Sequence, residues 1–249
     1  MIIIKTPEEL KKIRKSCQIV AMVIEELKIF LKEGLTTKQI ELFIENLILK
    51  MKGLPAFKGY RGYPASACIS INEQVVHGIP SEKVFIKEGD IVSVDVGVIY
   101  DGFYGDAAYT YPVGMISTDA ERLLKVTEEA LYKGIQNAKA GKRVGDISSA
   151  IQKHVESNGF SVVRAFVGHG VGRLLHEDPQ IPNFGREGIG PKLRKGMTIA
   201  IEPMVNAGTH EVKVLPDGWT AVTKDGSLSA HFEHTVAVTD NEPEILTKL

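Results

Sequence analysis

Val94–Asp106, VDVGVIYDGFYGD, reads as a β-hairpin: apolar residues flank Asp101-Gly102, a dipeptide that favours a two-residue hairpin loop. With those two residues in the loop, Gly97 faces Asp106 and Asp95 faces Ala108. Side chains two apart on a strand share a face, so both carboxylates point the same way, one diagonal apart. Like charges on one face of an apolar hairpin destabilise it. A positive partner between them is therefore expected.

Working outward, the lead-in Ile86-Lys-Glu-Gly-Asp-Ile-Val-Ser-Val-Asp95 is answered by Leu193-Arg-Lys-Gly-Met-Thr-Ile-Ala-Ile-Glu202. Gly34-x-x-Thr37-x-x-Ile40-x-x-x-Ile44 is answered by Gly141-x-x-Val144-x-x-Ile147-x-x-x-Ile151. Both matches sit at an offset of 107 residues. One register shared by two separate matches implies an internal duplication, with halves of about 1–117 and 118–249 in one catalytic domain. It makes Glu202 the counterpart of Asp95 and brings two acidic strands to a common centre.

Around these strands the chain reads as helices. Thr6-Pro7-Glu8-Glu9 is a helix start with a capping box. Leu10, Ile13, Cys17, Val20, Ile24, Leu27 and Leu31 then form one apolar stripe, read as a helix lying on a core rather than a coiled coil because it stops at Gly34. A second helix is expected over Thr37–Lys52, with Ile40, Phe43, Ile44, Leu47 and Ile48 inward. A third is expected over Thr118–Ala138, opened by a Thr118-x-x-Glu121 capping box. A strand is expected through Ile69 and Ile71, and the stretch Val75–Pro80 is expected to end in a turn.

The 249 residues are 43% hydrophobic and 24% charged, with a formal net charge of −1, so a sizeable core is available. No long Lys/Arg run points to nucleic acid or an anionic membrane. Two cysteines, Cys17 and Cys68, form neither a C-x-x-C nor a disulfide framework, which fits a reducing compartment. Ile2–Ile4 is too short for a secretory apolar region. A cytoplasmic, monomeric protein is expected.

Acidic or imidazole side chains stand in strand-like runs at five places: Asp95, Asp106, His169 in FVGHGVG, Glu202 in IAIEPMV and Glu233 in HFEHTVAV. Singly, each is an ordinary turn or loop residue. Together, four carboxylates carry about −4, and burying even one unpaired carboxylate costs several kcal/mol. Two divalent cations would balance that charge. Carboxylates with an imidazole suit Mn, Fe(II), Co or Zn, and the lack of thiolate ligands argues against a structural zinc site. Two such ions about 4 Å apart make a hydrolytic clamp. Gly168-x-Gly170-x-Gly172 lacks phosphate-loop spacing and is read as letting backbone approach the metals. His231 and His234 default to packing or surface roles.

VDVG with an Asp eleven residues on, GHGVG, IEPM and HFEHT, in this order and spacing, resemble the methionine aminopeptidases of the short bacterial type I form. The resemblance spans essentially the whole chain. It shows no zinc-binding N-terminal extension and no type II insertion. It implies the pita-bread fold, a pseudo-symmetric α/β (α+β) domain with antiparallel sheet and outer helices. It implies two divalent ions, with Asp95 on one, Asp106 and Glu233 bridging, and His169 and Glu202 on the other. Glu202 would also shuttle the proton of a bridging hydroxide, His176 would stabilise the oxyanion, and His77 would meet the scissile nitrogen. The reaction implied is removal of initiator methionine from nascent chains, near the ribosome, where the second residue is small.

The same resemblance places the methionine pocket at Phe57, Tyr60, Tyr63, Cys68, His77, Leu175, His176 and Trp219, and a monovalent cation at Asn72 and Ser229. Phe57 stands where bacterial relatives commonly have Cys, and Leu175 where they have Phe; these two changes bear on pocket shape. An Xaa-Pro peptidase of the same fold is the second reading, separable by substrate profiling. A metal-free module binding protein or RNA is the third, set against the complete donor set.

Overall fold

The computed structural model describes all 249 residues, Met1–Leu249. Strands Ile91–Tyr100 and Phe103–Pro112 pair antiparallel along their full length, with Asp95 opposite Ala108 and Gly97 opposite Asp106. Asp101 and Gly102 take φ of 49° and 76°, the two positive values that a type I′ turn needs. Cys68–Ile71 and Leu54–Pro55 pair with the other edge of Ile91–Tyr100.

Helix α1 spans Pro7–Phe30 and opens on the expected capping box between Thr6 and Glu9. Ile13, Cys17, Val20, Ile24 and Leu27 are buried, and so are Ile19 and Val23. That face is wider than a coiled-coil seam, because the helix lies across both strands of the hairpin. At Gly105 the approach is so close that a Cβ would overlap the Cys17 backbone.

Helix α2 spans Thr37–Lys50, two residues less than expected. Lys52 turns to a φ of 63°, and the Gly53 N–H donates back to the Ile48 carbonyl. Ile40, Ile44 and Ile48 are buried, whereas Phe43 and Leu47 are half-buried at the edge of the stripe. Helix α3 spans Thr118–Ile135, and its N-cap is Ser117, whose hydroxyl accepts from the Ala120 N–H at 3.2 Å. The Thr118–Glu121 box is therefore not formed; a hydroxyl one residue earlier takes the cap. Tighter turns at Asn137 and Ala138 end the helix short of Ala138. Helix α4 spans Val144–Ser157.

Helices α1 and α2 cover Val92, Val94, Val96 and Val98 in one core cluster, while α3 and α4 cover Ile199 and Ile201 in another. The second cluster backs a five-stranded antiparallel sheet ordered Glu244–Ile245, His234–Ala237, Thr198–Ile201, Gly168–Gly170, Glu177–Ile181. Two smaller antiparallel sheets complete the chain: Ser229–His231 with Met204–Asn206 and Ser161–Val162, and Val212–Val214 with Ala221–Thr223 and Gln74–Val76. No helix is long and apolar enough to cross a membrane.

The 107-residue spacing recurs in the hydrogen bonds. Gly34 N–H donates to Ile86 O as Gly141 N–H does to Leu193 O, and Thr37 N–H to Val84 O as Val144 N–H does to Pro191 O. Gly89 and Gly196, ahead of the two acidic strands, take φ of 89° and 86°. Asp95 and Glu202 thus leave two similarly built frames and face one another across the centre.

Candidate metal centre

Asp95 and Asp106 come from the two arms of the hairpin. Asp106 is held on both sides of its peptide unit by Thr235, whose hydroxyl accepts from Asp106 N–H at 3.2 Å and donates to Asp106 O at 2.7 Å. Glu233 is set by its own N–H, which donates to Ala108 O at 2.9 Å, beside the position opposite Asp95. His169 lies on the short strand Gly168–Gly170, and Glu202 follows Thr198–Ile201, which pairs with it.

Donor atoms of Asp106, His169 and Glu233 lie within 4.8 Å of one another. His169 Nε2 is 3.9 Å from Asp106 Oδ2 and 3.5 Å from Glu202 Oε1. His169 Nδ1 is 2.9 Å from the Gly170 carbonyl. A carbonyl only accepts, so Nδ1 carries the proton and Nε2 offers its lone pair to the centre. The five side chains named from the sequence line one cavity of about 180 Å³.

The centre carries unbalanced negative charge. Asp95 Oδ1, Asp106 Oδ1 and Glu233 Oε1 are buried with no hydrogen-bond partner, a costly state for any one of them. Burial, reinforced by the neighbouring Glu202 carboxylate, pushes Asp95 up to about 7; burial pushes Glu202 up to about 7 as well. Burial and the surrounding carboxylates push Asp106 and Glu233 well above the carboxylate range. Oxygen-rich donors with one imidazole and three unpartnered oxygens fit a divalent transition metal.

The pocket beside this centre is apolar at one end. Phe57, Tyr63, Cys68 and Leu175 are buried together, with Tyr60 and Trp219 against them. Tyr63 meets the edge of Trp219 at 5.1 Å between centroids, and its hydroxyl donates to Gly78 O at 2.9 Å. Gly97 is required here, because a Cβ would overlap the Phe57 ring. His77 and His176 line the cavity too. His176 Nδ1 is 2.8 Å from the Tyr60 hydroxyl. Burial lowers His77 to about 4; burial, then His169 and Arg61, lower His176 to about 3. Both are neutral imidazoles at pH 7.

Sequence reasoning missed His231. It is buried, and its unpartnered Nε2 sits 3.6 Å from Glu202 Oε2. The signal was available: an extended run through His231-Phe-Glu233 would put both side chains on one face. His234 points away, its Nδ1 2.9 Å from Thr247 Oγ1. Arg61, which also lines the cavity, was missed as well. The glycines around His169 allow close packing of neighbouring segments. A Cβ at Gly168 would overlap Ala200 O, one at Gly170 would overlap Asp178 O, and one at Gly172 would overlap the Lys5 side chain. Asn72 and Ser229 adjoin through Ser229 N–H donating to Asn72 O. Their side chains bond to protein groups, Asn72 to Asp90 and Ile91 N–H, and Ser229 to Asn206.

The profile of metallopeptidase family M24 matches residues 11–240. The chain belongs to this family. It is 55% identical to methionine aminopeptidase 1 of Bacillus subtilis over 249 residues, all of both chains. It is 54% identical to a methionine aminopeptidase of Clostridium perfringens, over 99% of each chain. The crystal structure of a methionine aminopeptidase from Thermotoga maritima superposes with a TM-score of 0.99 at 54% identity, covering all of both chains. The M24 fold is the pita-bread arrangement expected from the motifs. The family's metal dependence agrees with the unbalanced carboxylates at the centre.

Proposed function

We propose that this M24 enzyme removes the N-terminal methionine from peptides and nascent proteins, acting as a monomer in the cytoplasm on chains near the ribosome. One observation carries the reading: buried carboxylate oxygens without partners, drawn from separate segments, adjoin a narrow apolar pocket edged by aromatic rings. The whole chain is one catalytic domain of two related halves, about 1–117 and 118–249.

Asp95, Asp106, His169, Glu202 and Glu233 would hold two divalent cations. Bound there, the ions would acidify a water and polarise the scissile carbonyl. The methionine side chain enters between Tyr63, Trp219, Cys68, Leu175 and Phe57, where a thioether gains from ring edges. Glu202 takes the proton of the attacking water on a carboxylate oxygen and returns it to the leaving amine. Tyr60 donates its hydroxyl proton to His176 Nδ1, which leaves His176 Nε2–H to donate to the carbonyl oxygen and to the oxyanion that replaces it. His77, neutral as well, faces the scissile nitrogen.

The test is direct. The protein, freed of metal and reloaded separately with Mn(II), Co(II), Fe(II) or Zn(II), is incubated with Met-Ala-Ser and with Xaa-Pro peptides. Free methionine from Met-Ala-Ser is expected. Its absence with every metal would overturn the reading, and cleavage confined to Xaa-Pro peptides would replace it.

A further inference from the structure

Behind the pocket wall lies an ion pair that the reaction so far does not use. Lys5 Nζ is 2.5 Å from Glu177 Oε2, and the two side chains are 2% and 1% exposed. The other oxygen, Glu177 Oε1, accepts from Arg173 N–H at 2.7 Å and Leu174 N–H at 3.1 Å. The carboxylate thus closes the turn that delivers Leu175 to the pocket and His176 to the reacting carbonyl. Gly172 completes the turn, donating to Leu174 O at 3.0 Å. Lys5 is itself fixed, its N–H donating at 2.8 Å to Gly196 O in the turn before the Thr198–Ile201 strand that leads to Glu202. Arg173 is tied to the same N-terminal segment, its Nε 2.7 Å from Glu9 Oε1.

A buried charge pair is an expensive way to hold a loop. An apolar contact would fill the space, yet it could not accept two main-chain N–H groups while gripping a cation. We propose that Lys5 and Glu177 are positioning residues for methionine recognition: through the 172–177 turn they hold Leu175 against the side-chain pocket and His176 against the scissile carbonyl. The proposal rests on the proposed aminopeptidase reading. No hydrogen bond or ion pair joins either side chain to the five metal donors, so its loss is expected to act on substrate more than on metal.

The test compares the parent with Lys5→Met, which strands the carboxylate, Lys5→Arg, which keeps the charge, and Lys5→Met/Glu177→Gln, which leaves neither charge unpaired. The double variant retains an oxygen for the two main-chain N–H groups. Three quantities are read: kcat and KM on Met-Ala-Ser against Leu-Ala-Ser, Mn(II) affinity by calorimetry, and binding of free methionine followed by the fluorescence of Trp219, the single tryptophan. Lys5→Met is expected to lose about tenfold or more in kcat/KM, to narrow the Met-over-Leu preference and to bind methionine more weakly, at parental Mn(II) affinity. The double variant and Lys5→Arg are expected to regain much of each loss. Should Lys5→Met fail to fold, the double variant and Lys5→Arg carry the comparison, each expected to keep a loss of about twofold or more in Met-over-Leu preference.

Parental kcat/KM and parental Met-over-Leu preference in every folded variant would overturn the proposal. So would losses that track Mn(II) affinity alone. A parent that binds methionine but releases none from Met-Ala-Ser would refute the proposed function, while the fluorescence comparison would still judge the turn.

Discussion

Stripping the protein of metal should make its stability fall as pH rises from 6.5 to 8.0. The carboxylates at the centre are raised in the fold, so the native state binds protons that the unfolded chain has already released. A group of this kind stabilises below its folded pKa and loses that contribution as pH rises through it. Asp95 and Glu202, each pushed up to about 7, contribute about 0.8 kcal/mol apiece at pH 6.5 and almost nothing at pH 8.0. Asp106 and Glu233 are raised as well and act with the same sign. The buried histidines oppose this at lower pH. His77, His176, His231 and His234 are lowered by burial, so their neutral forms stabilise the fold increasingly as pH climbs toward 6.5, the value at which unfolded histidine has lost half its charge. Between pH 6.5 and 8.0 each unfolded histidine still gives up its remaining charge, which returns about 0.4 kcal/mol apiece and roughly offsets Asp95 and Glu202, so the net fall rests on Asp106 and Glu233 acting with them. A net fall in stability, and hence in Tm, is expected across this window. The assay is thermal unfolding by circular dichroism after exhaustive chelation, at constant ionic strength. Millimolar Mn(II) should restore more stability at pH 8.0 than at 6.5. A metal-free Tm that is flat or rises across this window would refute the argument.

Asp106→Asn removes one of the crowded charges while keeping the shape. It should raise the metal-free Tm at pH 8.0 and abolish methionine release; measurable turnover at 1% of parent would contradict the assignment. His176→Ala removes the proposed oxyanion donor and should cost about 10²–10³ in kcat, with little change in Mn(II) affinity by calorimetry. Leu175→Ala opens a buried wall. It should lose about 2–5 kcal/mol of stability, measured by urea unfolding, and should admit larger N-terminal side chains in competition assays. His231→Leu removes the imidazole facing Glu202 and should weaken metal binding by roughly 10–100-fold, His231→Gln by less; unchanged affinity in both would make His231 a packing residue.

The centre of the fold was legible because its signals are local. A two-residue turn with two positive-φ positions sets the register of ten paired residues on each side, and that register places Asp95 and Asp106 on one face. The repeated lead-in then points to Glu202. What could not be read depends on contacts between distant residues. Lys5 and Glu177 are 172 apart in sequence, and neither carries a pattern naming the other. Arg61 joins the cavity through a short turn in which it takes a φ of 50°, a conformation its residue type does not announce. Ser117 displaced the expected cap because two hydroxyls stood side by side and only the backbone conformation selects between them. That Gly168 and Gly170 lie against the Ala200 and Asp178 carbonyls could not be read either, since it depends on which backbone lies alongside.

Stability and chemistry pull against each other at this centre. A core of this size could bury isoleucine where Asp106 stands, and the fold would be firmer without its unpartnered oxygens. The hairpin nevertheless holds the Asp106 peptide from both sides through Thr235, and the Ala108 carbonyl fixes Glu233 from across the sheet. These main-chain bonds fix where Asp106 and Glu233 leave the backbone, and burial leaves their carboxylates little room to turn away from one another. Their repulsion is relieved only by protons or by a cation. At neutral pH protons satisfy them incompletely, which leaves a divalent ion as the species that binds the folded chain in preference to the unfolded one.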